Sequence, residues 1–175
     1  MIYKEEQFEL CDDFIDVGYM AENVVVEDFY GHTITLQRSH SDKSMSLFVA
    51  VPYFGNGFIE EMIKLDKLMQ TIQVPIYCYF IFNEAMSDKT ALKNRLEKFE
   101  IVFDKNDEFG NMYGMKIVDG SLKDKLTKGL FLINKDGSVF YLDVPEDLEK
   151  PLDIDRLIIE LNKAYLTYTG VGCHG

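Results

Sequence analysis

The side chains that could support redox or metal chemistry are few in this sequence and lie far apart. They are three cysteines and three histidines: Cys11, Cys78, Cys173, His32, His40 and His174. Zinc sites and dithiol redox centres usually contain closely spaced pairs such as C-x-x-C. No such pair occurs here, and the histidines show no metal-ligand spacing with one another. We therefore expect no metal site and no cofactor, and the odd number of cysteines leaves at least one thiol unpaired within a monomer.

Two of the cysteines are in surroundings that disfavour reactivity. Cys78 lies in the apolar run 75–82, which predicts a small buried side chain. Cys11 is followed by Asp12 and Asp13, whose negative charges disfavour a thiolate and make this thiol a poor nucleophile. Neither cysteine is therefore predicted to carry redox chemistry.

Cys173 is the candidate reactive thiol. It lies in the glycine-rich segment 169–175, next to His174, and we expect this segment to be mobile and exposed. The imidazole of His174 can favour the thiolate, or it can contribute to a metal site together with other ligands. The alternative is a disordered tail whose thiol reacts nonspecifically.

Composition and charge narrow the class of protein. The chain has 175 residues, of which 47% are apolar, and this length fits one domain with a full core. Thirty acidic residues against 18 basic ones give a net charge of −12, which repels nucleic acids and anionic membranes. No apolar run is long enough to span a bilayer, and the acidic N-terminus does not resemble a signal peptide. We therefore expect a cytoplasmic protein with neither nucleic acid nor membrane as a partner.

Hydrophobic periodicity predicts an α/β fold. The predicted strands cover residues 24–28, 32–37, 45–51, 75–82, 99–103, 129–134 and 138–144, and the predicted helices cover 58–72, 87–98, 107–114 and 153–167. Strand–helix–strand crossovers favour parallel neighbours, whereas the late hairpin adds an antiparallel edge. We expect a mixed β-sheet flanked by helices on both faces, with an N-terminal β-hairpin around Tyr30-Gly31.

Two stretches resemble the thiol peroxidase branch of the peroxiredoxins, which are redoxins with a thioredoxin-like fold. The first is Val49-Ala50-Val51-Pro52 with the helix after it, which is similar to a V-P-S-x-D-T-x-x-C segment. The second, over residues 106–137, resembles the segments F-x-x-x-Y-G-V, I-x-D-G-P-L-x-G-L and R-A-V-F-V-I-D-x-x-G in that order. The resemblance implies a thioredoxin-like domain over 20–168, an N-terminal extension over 1–19 and a flexible tail over 169–175.

The resemblance fails at the residues that carry the chemistry of that family. In thiol peroxidases a cysteine in the first turn of the helix attacks peroxide, and the helix N-terminus and an arginine stabilise its thiolate. Here the cysteine position is Ile59, which has no nucleophile. The position of the family's threonine is Asn56, and Lys128 best matches its arginine; only the proline, Pro52, is kept. The second cysteine of the family would fall near Thr90, and no cysteine lies between residues 79 and 172.

These substitutions predict a pseudoenzyme, a thiol peroxidase-like protein without peroxidase activity that is retained for protein interaction or regulation. Thiol peroxidases are commonly homodimers, so the resemblance implies a second copy or a related redoxin as partner, with thioredoxin as a further candidate. One alternative is a thiol-dependent peroxidase or redox sensor that uses Cys173. Another is binding of a small anion in the vacated pocket, with Asn56 and Lys128 as polar anchors.

Overall fold

The computed structural model describes residues 1–84 and 88–167, and of Asn56 it describes the backbone alone. The predicted tail over 169–175, including Cys173, lies outside the described residues. Within them the elements are β1 (Ile2–Tyr3), β2 (Glu6–Gln7), β3 (Val24–Glu27), β4 (Thr33–Leu36), β5 (Met45–Ala50), α1 (Asn56–Gln70), β6 (Ile76–Phe82), α2 (Lys89–Lys93), β7 (Glu100–Phe103), α3 (Glu108–Met112), β8 (Gly129–Ile133), β9 (Val139–Asp143) and α4 (Ile154–Leu166).

Seven of these strands form one mixed sheet in the order β4-β3-β7-β6-β5-β8-β9. The neighbours β5, β6 and β7 run parallel and are connected through α1 and α2, whereas the remaining neighbours are antiparallel. All six residues of β5 are buried, which is typical of a strand covered on both faces. The mixed sheet and the β3–β4 hairpin confirm the predicted fold class.

The two faces of the sheet pack against different helices. Leu47 and Val49 of β5 belong to the apolar layer that includes the buried residues of α1 and α4, whereas Phe48 and Ala50 belong to the layer that includes α3. This division follows from the strand geometry, since successive side chains point to opposite faces. In the part of the chain that the structure describes, no helix is long and apolar enough to cross a bilayer.

The bounds of all four predicted helices differ by one or two residues from those observed, and the end of α2 differs by five. The first long helix, α1, begins at Asn56 rather than at residue 58, and α2 ends at Lys93 although the predicted helix continued to residue 98. The backbone amides of residues 97–99 donate to the buried carboxylate of Asp66 at 3.1, 2.9 and 2.9 Å. Because these amides bond to a side chain, they do not form helical hydrogen bonds, and the predicted C-terminal half of this helix was wrong.

The N-terminal residues lie against the domain. Strands β1 and β2 form a separate antiparallel pair, and the Phe8 side chain that follows them is only 5% exposed. Leu10 and Met20 form isolated β-bridges with Ile117 and Ser138. Residues 1–19 therefore contribute to the core, and the division of the chain at residues 20 and 168 stays a prediction.

Candidate functional site

The candidate site lies where β5 ends and α1 begins. Pro52 is buried directly after β5, and the Val51 amide before it still pairs with the Ile81 carbonyl of β6 at 3.0 Å. The chain then turns through Gly55, the N-cap residue of α1, which has no side chain to bond the first helical amides. The site is therefore a helix N-terminus at the carboxyl end of the central parallel strands, a place where α/β proteins often bind ligands.

Ile59 lies in the first turn of α1. Its amide donates to the Gly55 carbonyl at 2.9 Å, and its half-buried side chain packs against the apolar layer under the helix. A hydrocarbon side chain in this position supplies neither a nucleophile nor a proton. Asn56 occupies the first position of the same helix.

Three aromatic side chains pack against one another at the start of α1: Tyr3, Tyr53 and Phe58, which we call the aromatic trio. Their ring centroids lie 5.2 to 6.3 Å apart, and the rings of Tyr53 and Phe58 are nearly perpendicular at 87°. The hydroxyls of Tyr3 and Tyr53 are in contact. Burial, followed by this hydrogen bond, raises the pKa of Tyr53. Such ring packing contributes about 0.5–1.5 kcal/mol per aromatic pair beyond the buried area.

Lys128 lies next to Phe58 of the trio and is only 3% exposed. Its Nζ donates to Glu61 Oε2 at 2.9 Å and to the Lys150 carbonyl, and it lies 5.8 Å from the centroid of Phe58. The other carboxylate oxygen of Glu61 accepts from the Leu152 amide at 2.6 Å. The positive charge of Lys128 is therefore already neutralised within the protein, as a buried charge requires.

The structure places Pro52, Asn56 and Ile59 at the junction of β5 and α1, with Lys128 nearby, directly before β8. The residues of α1 that contact the Lys128 ammonium are Phe58 and Glu61. Sequence analysis missed Glu61, because the helical pattern places it away from the apolar face and its partner is 67 residues along the chain. It also missed Tyr3, for which no local pattern indicates a position at this site.

A cleft of about 580 Å³ remains beside the trio. Its walls include Lys4, Gly57 and Glu149 as well as the aromatic rings, Glu61 and Lys128. The cleft is therefore lined by both positively charged lysine and negatively charged glutamate side chains.

The two cysteines that the structure describes, Cys78 and Cys11, lie away from this arrangement. Cys78 is 3% exposed within β6, and burial raises the pKa of its thiol to about 12, which keeps it protonated and unreactive. The Cys11 side chain is exposed and donates to the Gly110 carbonyl of α3 at 3.5 Å, on the opposite face of the sheet from α1. The predicted burial of Cys78 is confirmed. Among the described residues, no group of three or more His, Cys, Asp or Glu could hold a metal ion.

Two glycines at this helix start should respond oppositely to alanine. A Cβ on Gly55 would overlap the Tyr53 ring, including Cδ2 at 3.0 Å, whereas a Cβ on Gly57 would meet nothing within 4 Å. We expect Gly55→Ala to lower the free energy of unfolding by about 1–2 kcal/mol, because the packed ring must move. Gly57→Ala should raise it by about 0.5–1 kcal/mol, because alanine favours a helix. Urea denaturation of both variants checks the pair, and equal effects would contradict the packing of Tyr53 described above.

Proteins similar to this chain share the fold described above. The family model described as Redoxin matches residues 26–158, and no curated protein matches the chain significantly. A peroxiredoxin-like protein from Aquifex aeolicus has a TM-score of 0.83 at 16% identity, with 93% of this chain and 95% of that chain covered. A thiol peroxidase from Chromobacterium violaceum has a TM-score of 0.80 at 16% identity, with 92% and 94% covered. At such identities the two structures show the thioredoxin-like fold alone. Because the Redoxin model covers well over half of its length, the chain belongs to the Redoxin family.

Proposed function

We propose that this protein is a redoxin without peroxidase activity, retained as a binding or regulatory protein of the cytoplasm. The observation that supports this most strongly is Ile59 in the first turn of α1, at the position that the resemblance assigns to the peroxide-attacking cysteine. The aromatic trio packs together at the same helix start. A site that is packed with rings and lacks a thiol suits recognition better than catalysis.

The state of Lys128 adds to this support. An arginine in the family positions peroxide through its planar fork, which a lysine does not reproduce. Here the Lys128 ammonium is held by the carboxylate of Glu61 and by the Lys150 carbonyl. The same pairing counts against the alternative in which Lys128 anchors a small anion, since such a ligand would have to compete with Glu61.

The direct test is peroxide consumption by the purified protein with a thioredoxin or dithiol reductant, followed by cysteine mapping. The proposal expects a rate no faster than that of an equal concentration of free thiol. Catalytic turnover would overturn it, and Cys173→Ser would then show whether the tail thiol is the nucleophile. If activity disappeared in Cys173→Ser but survived in Cys11→Ser, the alternative of a relocated redox site would replace our proposal.

Restoring the thiol alone should not restore the activity. We expect Ile59→Cys to consume peroxide at the rate of a free thiol, because the resemblance places Lys128 where the family has its arginine, and Lys128 is paired with Glu61. Stopped-flow measurement of peroxide loss checks this, with Ile59→Ser as the thiol-free control. A large rate for Ile59→Cys would contradict the view that the whole site has changed.

We further propose that the surface around the aromatic trio serves association, either with a second copy of this chain or with a related redoxin, and that thioredoxin is a further candidate. Light scattering of the purified protein tests the first of these. A monomer that captures neither a redoxin nor thioredoxin would count against a binding function at this surface.

A further inference from the structure

The first seven residues cover the aromatic site from outside. Strand β1 lies alongside residues 145–150, the stretch between β9 and α4, and joins it as a short parallel bridge between Ile2 and Asp147. The Ile2 amide donates to the Glu146 carbonyl at 2.7 Å, and the Leu148 amide donates to the Ile2 carbonyl at 2.9 Å. This pairing places Tyr3 directly over the helix start.

Tyr3 is the side chain by which this hairpin packs against the other aromatic rings of the site. Its ring lies 5.9 Å from that of Phe58, and its hydroxyl meets that of Tyr53. The neighbouring Ile2, Lys4, Glu5 and Glu6 are exposed. A second attachment is the Glu6 carboxylate, which accepts from the backbone amide and the hydroxyl of Ser121 near the surface. The hairpin is therefore held by the Tyr3 ring, the half-buried Met1 side chain, two backbone hydrogen bonds and the exposed pairing of Glu6 with Ser121.

The turn of the hairpin is strained. Lys4 and Glu5 connect β1 to β2, and both have positive φ, 49° and 67°. Hairpin turns of this kind normally use asparagine, aspartate or glycine, because other side chains disfavour the left-handed region. This strain opposes closure of the hairpin, whereas Phe8 directly after it is buried and fixes its base.

We propose that residues 1–7 form a reversible lid over the aromatic site, which opens by local unfolding of these residues while Phe8 stays buried and the mixed sheet stays intact. Opening removes Tyr3 and uncovers Tyr53, Phe58 and the start of α1. The inference goes beyond the proposed function, because it assigns to this chain a segment that controls access to the surface, whichever molecule binds there. Segments of low local stability commonly serve as such lids.

The test is amide hydrogen exchange by NMR on the full chain, read at the Leu148 amide and at amides of β5 and β6. We expect the Leu148 amide to exchange at least about 100-fold faster than the strand amides, because it is released by local opening. Tyr3→Ala should accelerate exchange at Leu148 and leave the strands unchanged. Glu5→Gly should slow it by about three-fold, because glycine relieves the turn. Tyr30→Ala, which truncates a tyrosine that is 70% exposed at the β3–β4 turn, is the control.

Two results would overturn the lid. One is a Leu148 amide that exchanges as slowly as the strands and follows global unfolding in Tyr3→Ala, which would make the hairpin an integral part of the core. The other is a Glu5→Gly variant with an unchanged rate at Leu148. Neither result depends on peroxidase activity or on a partner, so the lid and the proposed function fail separately.

Discussion

Replacing Asp66 by alanine is expected to lower the free energy of unfolding by about 4 kcal/mol and the melting temperature by about 10 °C. The Asp66 side chain is fully buried, and its two oxygens accept hydrogen bonds from the backbone amides of residues 97–99 and from Gln70 Nε2 at 2.8 Å. Alanine leaves three backbone donors without an acceptor, and each unsatisfied buried donor costs about 1–3 kcal/mol. Without the Asp66 carboxylate, residues 97–99, which precede β7, are also no longer attached to α1.

The measurement is denaturant unfolding of Asp66→Ala beside Asp16→Ala as the control. The Asp16 carboxylate is also bonded to a backbone amide, that of Val17 at 2.7 Å, but it is exposed. Asp16→Ala should change the free energy of unfolding by less than about 0.5 kcal/mol. A comparable small effect for Asp66→Ala would show that the amides of residues 97–99 find other partners.

The second large effect concerns the ion pair behind the aromatic trio. We expect Glu61→Leu to cost about 4 kcal/mol, because it leaves the buried Lys128 ammonium without its counter-charge. Adding Lys128→Met should recover at least about half of this loss, since apolar side chains of similar volume often replace a buried pair without penalty. The remainder would reflect the Leu152 amide and the Lys150 carbonyl, which lose their partners.

The neighbouring glutamate on the same helix, Glu60, provides the control. Glu60 lies 4.0 Å from Arg95, and both side chains are more than half exposed. Glu60→Leu should therefore change stability by less than about 1 kcal/mol. Denaturant unfolding of the single and double variants measures the coupling between Glu61 and Lys128. Additive effects, or equal losses for Glu60→Leu and Glu61→Leu, would contradict a buried pair.

The elements that sequence predicts well are those determined by their own local pattern. The continuous apolar run of β5 and the turn residues before β9 determine their strands without help from distant parts of the chain. The helix predicted over 87–98 shows where this fails. Its amphipathic pattern is genuine, but the amides near its end bond to Asp66, which lies more than 30 residues earlier. No local pattern contains that information.

The candidate site likewise has one feature that sequence predicts and others that it does not. The absence of a thiol at Ile59 is visible in the sequence as soon as the resemblance is recognised. The sequence does not indicate that Tyr3 and Glu61 belong to the site. The position of Tyr3 depends on the pairing between β1 and residues 145–150, and the role of Glu61 depends on the approach of Lys128 to α1. Sequence thus indicates what the site lacks, whereas the three-dimensional packing indicates what fills it.

Because Cys78 is buried in β6, chemical modification of its thiol reports on opening of the central sheet. Its thiol lies in β6 with a pKa raised to about 12, so alkylating reagents reach it and find a thiolate only after the strands separate. Mass spectrometry distinguishes modification of Cys78 from that of other thiols. The rate of Cys78 modification then measures how often the strands of the sheet separate in unlabelled native protein. Any condition that speeds this modification acts on the core of the domain itself, whatever happens at its surface.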